Sequence, residues 1–110
     1  MRLRLTELEP QFLKRVTDTS FREVEELSEA DGILFICPLC FEKNGKDRVG
    51  VHSVMCWKPS VPQTTEPTPG RWNMLGTGYE DLTLQNGSSS ILLTGDGCGW
   101  HGFIQNGEVT

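Results

Sequence analysis

Two short turns, far apart in the chain, limit most strongly what it can fold into. Cys37-Pro38-Leu39-Cys40 and Cys98-Gly99-Trp100-His101 each set two metal-ligating side chains two residues apart. That spacing lets a tight turn aim both side chains at one point, and zinc takes a tetrahedron of sulfur and nitrogen donors. Each turn follows an apolar stretch, Ile33-Leu34-Phe35-Ile36 and Ile91-Leu92-Leu93, so each is expected at the end of a strand. The reading is one structural Zn2+ held by Cys37, Cys40, Cys98 and His101. Four protein ligands leave no position for water, which is the make-up of a structural rather than a catalytic site.

His52 and Cys56 are alternative ligands. Val49 to Trp57 alternates apolar with small or polar residues, and on a strand positions 52 and 56 share one face. Either can stand in for His101 or Cys98. The simpler expectation places Cys56 in the core and His52 at the surface or in a hydrogen bond.

A metal staple suits a chain of this kind. It has 110 residues, the size of one domain (1–110), and only 36% of them are hydrophobic. Such a chain buries a modest core and gains from a cross-link. Its formal charge is −5. Nucleic-acid binding draws most of its affinity from Lys and Arg on phosphates, so no nucleic-acid partner is expected. No apolar run approaches the roughly 20 residues of a membrane span, and Met1 to Glu9 lacks the apolar core of a signal peptide. A reducing cytosol is expected, where a Cys-x-x-Cys pair is metal-binding or redox-active rather than part of a disulfide framework.

The fold class reads as mainly β, a small α+β domain. A zinc-ribbon-like antiparallel sheet is expected, with one short helix near residues 25–30. Strands are predicted around Leu3–Leu5, Phe12–Val16, Ile33–Ile36, Val49–Trp57, Leu82–Leu84, 90–94 and 102–105. Asn106-Gly107 is a tight hairpin signal. Pro59, Pro62, Pro67 and Pro69 make residues 58–70 a loop, expected to be exposed and mobile.

No reaction can be assigned. A deaminase zinc site wants H-x-E and P-C-x-x-C, but His52 precedes Ser53-Val54 and Cys37 follows Ile36. Gly76-Thr77-Gly78 lacks the lysine and helix of a phosphate cradle. The acids from Glu23 to Asp31 read as a solvated face. Trp57, Trp72 and Trp100 are core anchors by composition. Trp100, held between two expected ligands, is the one picked for a partner surface.

Several segments together carry a resemblance. They are Ala30 to Phe41, Gly50-Val51-His52-Ser53, Arg71-Trp72, Gly76 to Leu84, and Gly97 to Glu108 with its C-x-W-H-G-F-I-x-N-G-E pattern. Over residues 27–110 the chain resembles a group of small proteins of tailed bacteriophages and prophages that share the C-P-x-C turn and this closing segment. The resemblance implies a phage protein acting in the host cytoplasm or carried in the virion. The leading expectation is therefore a non-enzymatic zinc-bound protein acting through contact with a host or virion protein. A metal-dependent enzyme and a nucleic-acid-binding zinc ribbon are the alternatives.

Overall fold

The centre of the molecule is a four-stranded antiparallel sheet whose strands alternate apolar side chains between two covered faces. A computed structural model describes residues 2–47, 49–66, 70–85 and 100–110, and the backbone of 91–92. The strands in chain order are β1 (Leu3–Arg4), β2 (Gln11–Thr17), β3 (Ser20–Val24), β4 (Gly32–Ile36), β5 (Ser53–Trp57), β6 (Asn73–Leu75), β7 (Thr83–Gln85), β8 (Ile91–Leu92), β9 (His101–Gly102), β10 (Ile104–Gln105) and β11 (Glu108–Val109). The central sheet runs β3-β2-β4-β5, with smaller antiparallel sheets β1-β11-β10, β6-β7 and β8-β9. The molecule is mainly β, as the strand patterning predicts.

On one face, Phe12, Val24, Ile33, Phe35, Val54 and Cys56 enter the main core. There they join Leu3, Leu5, Leu8, Leu82, Leu84, Ile104 and Val109 from the smaller sheets and connections. Successive side chains on a strand point to opposite faces, so Leu13, Leu34, Met55 and Trp57 emerge on the other side. This explains the unbroken apolar run of β4, a strand buried from both sides.

The second face holds a specific arrangement. Gly32 pairs with Trp57 across β4 and β5, and a Cβ at Gly32 would stand 2.5 Å from the Trp57 ring. The missing side chain lets the indole lie against the sheet. Its Nε1–H donates to the Glu66 carbonyl at 2.9 Å, and Val61 closes over it. The proline-rich stretch is thereby folded back on the sheet. Arg71 fixes it from beneath: its guanidinium donates to the carbonyls of Val61, Pro62, Thr65 and Gly70 at 2.6–2.9 Å. Thr65, only 2% exposed, accepts from Arg15 Nε and donates to Asp18. Proline lacks the N–H for a strand ladder, so carbonyls bound by one planar cation supply the order. Residues 67–69 lie outside the described part of this loop.

Two expectations are adjusted by the structure. The short helix near 25–30 is a single 3-10 turn, Leu27–Glu29. Leu27 and Ala30 are both buried in the core. The Asp31 N–H donates to the Leu13 carbonyl at 2.7 Å, so the chain is already committed to sheet pairing one residue later. The α-helix lies instead at α1 (Pro38–Lys43), inside the first cysteine turn. The strand expected over Val49–Trp57 begins only at Ser53, because Gly45, Lys46 and Gly50 take positive φ in the turn before it. Asn106 and Gly107 do form the expected hairpin, with φ of 51° and 73° between β10 and β11.

Candidate metal centre

The first cysteine turn is built where β4 ends and α1 begins. Cys37 has extended backbone, φ −62° and ψ 121°, and stands at the N-cap; Pro38 follows where its ring and missing N–H fit the first helical turn. The Cys37 carbonyl accepts from the Phe41 N–H at 2.9 Å, and Phe41 is buried. This short helix is thus rooted in the core, and its first turn carries Cys40 beside Cys37. After α1 the Asn44 side chain donates to the carbonyls of Asp47 and Val49, at 3.0 and 2.9 Å, turning the chain back toward β5.

His52 arrives by way of that turn. The Cys37 N–H donates to the His52 carbonyl at 2.8 Å, which extends the β4–β5 ladder by one rung. Residues opposite each other on paired strands share a face. The Sγ atoms of Cys37 and Cys40 and an imidazole nitrogen of His52 consequently lie within 4.8 Å of one another. A tetrahedral ion with bonds of about 2.0–2.3 Å keeps its donors roughly 3.5 Å apart, so the three need only small adjustments to share one ion. Cys37 is fully buried, while Cys40 and His52 are half-buried. No disulfide joins the cysteines among the described residues. This group can hold a metal ion. Thiolate and imidazole together suit a soft or borderline cation and not a hard one such as magnesium or calcium.

The other expected ligands divide as follows. His101 is exposed on β9, its ring 6.3 Å from that of Phe103, and stands outside the three-residue group. Cys98 lies outside the described residues. Cys56 faces the core opposite Ile33, 2% exposed, and burial pushes its thiol well above the usual range. Trp100, picked for a partner surface, is a core residue. It is 2% exposed and meets Phe35 edge-on at 6.1 Å. The large apolar area of an indole is worth more inside a small domain than at its surface.

No family model matches the chain, and neither the curated proteins nor the solved structures include a match to it. The site therefore rests on its own geometry.

In the sequence the Cys-x-x-His spacing of the last turn favours His101 over His52. The signal that could have promoted it is the short excursion from Cys40 to His52, a gap of the kind seen in compact zinc motifs. Among the described residues no helix is long and apolar enough to cross a membrane.

Proposed function

We propose that the chain is a zinc protein whose ion is held by Cys37, Cys40 and His52 and serves to fix structure. The observation that carries this is the convergence of two thiols and an imidazole from the junction of β4 with α1, from α1 itself and from the residue before β5. The ion would cross-link the end of the central sheet to the helix and the turn that follows. Two thiolates and an imidazole favour zinc among the abundant intracellular cations.

In this proposal the protein acts by contact with another protein, either a host factor or a component of a particle. The support for a phage origin, in the host cytoplasm or the virion, is the motif resemblance alone. The acidic balance, −5, argues against nucleic acid as the partner.

The donor count supports a second reading. Three protein ligands and a water make up a catalytic zinc site, and Cys40 and His52 are both half-buried. Metal analysis and cobalt substitution of the reduced chain decide between the two. Bound stoichiometric zinc and a four-ligand, water-free cobalt spectrum support the structural reading. Cys98→Ser and His101→Ala then identify the fourth donor by which one alters that spectrum. A spectrum that changes on adding cyanide or another small anion, in a chain that also hydrolyses esters, supports the enzyme. Failure of the reduced chain to bind any metal sinks both.

A further inference from the structure

We infer that Cys40 is an oxidation site through which a peroxide releases the metal, by closing a Cys37–Cys40 disulfide. This rests on the metal reading above. The two sulfurs are within 4.8 Å of each other across the first turn of α1, and they are not bridged. Their exposure differs in the useful direction. Cys40 is half-buried at the edge of the core, while Cys37 is fully buried beside it. A cysteine in reach of solvent with a second one poised next to it is the arrangement of reversible thiol oxidation. Cys56, the third described cysteine, is outside the group and buried in the core among apolar neighbours, which makes it a poor competitor.

The step balances as follows. The Cys40 thiolate attacks a peroxide oxygen; the S–O bond forms, the O–O bond breaks and hydroxide leaves. The Cys37 thiolate then attacks the Cys40 sulfur, forming S–S and expelling the second hydroxide. Two sulfurs lose one electron each, the peroxide gains both, and two protons from solvent complete two waters. A neutral disulfide no longer provides the thiolate charge that held the cation, and of the three donors only His52 remains. Neither step breaks a backbone bond. In the unbridged chain the Cys37 N–H bond to the His52 carbonyl and the Phe41 N–H bond to the Cys37 carbonyl seat the first turn. A thiol reductant therefore returns the same two thiolates to the same places.

The test uses the full chain, reduced and loaded with zinc, with metal content measured before any oxidant is added. Hydrogen peroxide is titrated in, a chromogenic chelator reads free zinc, and proteolysis with mass spectrometry maps the bridges. The expected result is zinc release in step with a Cys37–Cys40 disulfide. Dithiothreitol followed by zinc should restore the loaded state. Cys37→Ser separates the roles: it should leave Cys40 as a sulfenic acid, trappable with dimedone. A chain that retains its zinc after oxidation overturns the switch and leaves the metal reading standing. So does release through sulfinic acid, or through a bridge to a different cysteine. A chain that never binds zinc overturns the metal reading, and the switch with it.

Discussion

The amide of Cys37 bonds to the carbonyl of His52 at 2.8 Å, so one backbone rung sets the spacing between two of the three candidate metal donors. A ligand pair positioned by a sheet ladder is held at a fixed separation before any ion arrives. Preorganisation of this kind lowers the ordering cost of binding.

Replacing His52 tests the donor set directly. His52→Ala keeps the rung, which is backbone, and removes the imidazole. Zinc affinity should fall by at least about 100-fold, beyond the usual effect of losing a residue that merely orients a ligand. Competition against a chromogenic chelator reads this. Removing zinc from the wild-type chain should lower the thermal midpoint and speed amide exchange chiefly between residues 37 and 52.

Gly32→Ala should destabilise the fold by about 1–3 kcal/mol, the range for overpacking a tight interior. The new methyl would meet both the Trp57 ring and the Cys56 carbonyl at 2.5 Å. Urea unfolding gives the loss. Adding Trp57→Leu should relieve only part of it, since the carbonyl stays in place. Full rescue would mean that the indole alone sets the constraint.

Arg71→Ala removes four hydrogen bonds to the carbonyls of the proline-rich loop. A loss of about 1–3 kcal/mol is expected, in line with hydrogen bonds to charged groups. The sharper readout is new protease cleavage between residues 61 and 66. Arg71→Lys should rescue poorly, because an ammonium cannot spread its donors in a planar fork.

Asp81 gives the acid side of the stability curve one of its causes. Its carboxylate accepts from the Thr77 and Gly78 amides and the Thr77 hydroxyl, each at 2.9 Å. These bonds hold its pKa below the ordinary value of 3.8, those to the Thr77 and Gly78 amides first. A depressed folded-state pKa contributes stability that is present above the unfolded value and lost as pH falls through the folded one. Asp81→Asn should therefore flatten the decline in thermal midpoint below about pH 4 while lowering stability at neutral pH. Asp18, bonded to Arg15, Thr64 and Thr65, acts with the same sign, so the flattening should be partial.

What the sequence carried, and what it hid, follows from the range of each interaction. The apolar run before Cys37 is local and was legible as a buried strand ending at a candidate ligand. The Asn106-Gly107 hairpin was legible because two positive φ angles restrict the residue types that can form it. His52 was ranked below His101 because its placement opposite Cys37 depends on β4–β5 register, a pairing that no local spacing displays. The segment at 25–30 has acids and apolar residues at helical intervals, yet the pairing of Asp31 with Leu13 leaves it room for one 3-10 turn. Proline content marked the loop at 58–70, and its described residues carry no strand, but Val61 and Thr65 are buried rather than exposed. Proline content gave no sign that Arg71, beyond the last proline, would gather the loop's carbonyls.

β1 and β11 lie side by side, with Leu3 opposite Val109, and the Leu5 amide reaches the Gly107 carbonyl at 2.7 Å. A ribosome makes β1 well before β11, with the whole central sheet in between. The central sheet can assemble from neighbouring segments while synthesis continues, but Leu3, Leu5 and Leu8 must wait for the closing hairpin. Such late, non-local closure is slow. It leaves the nascent chain with an uncovered apolar flank until the β10–β11 hairpin emerges, a period in which a chaperone would find its footing.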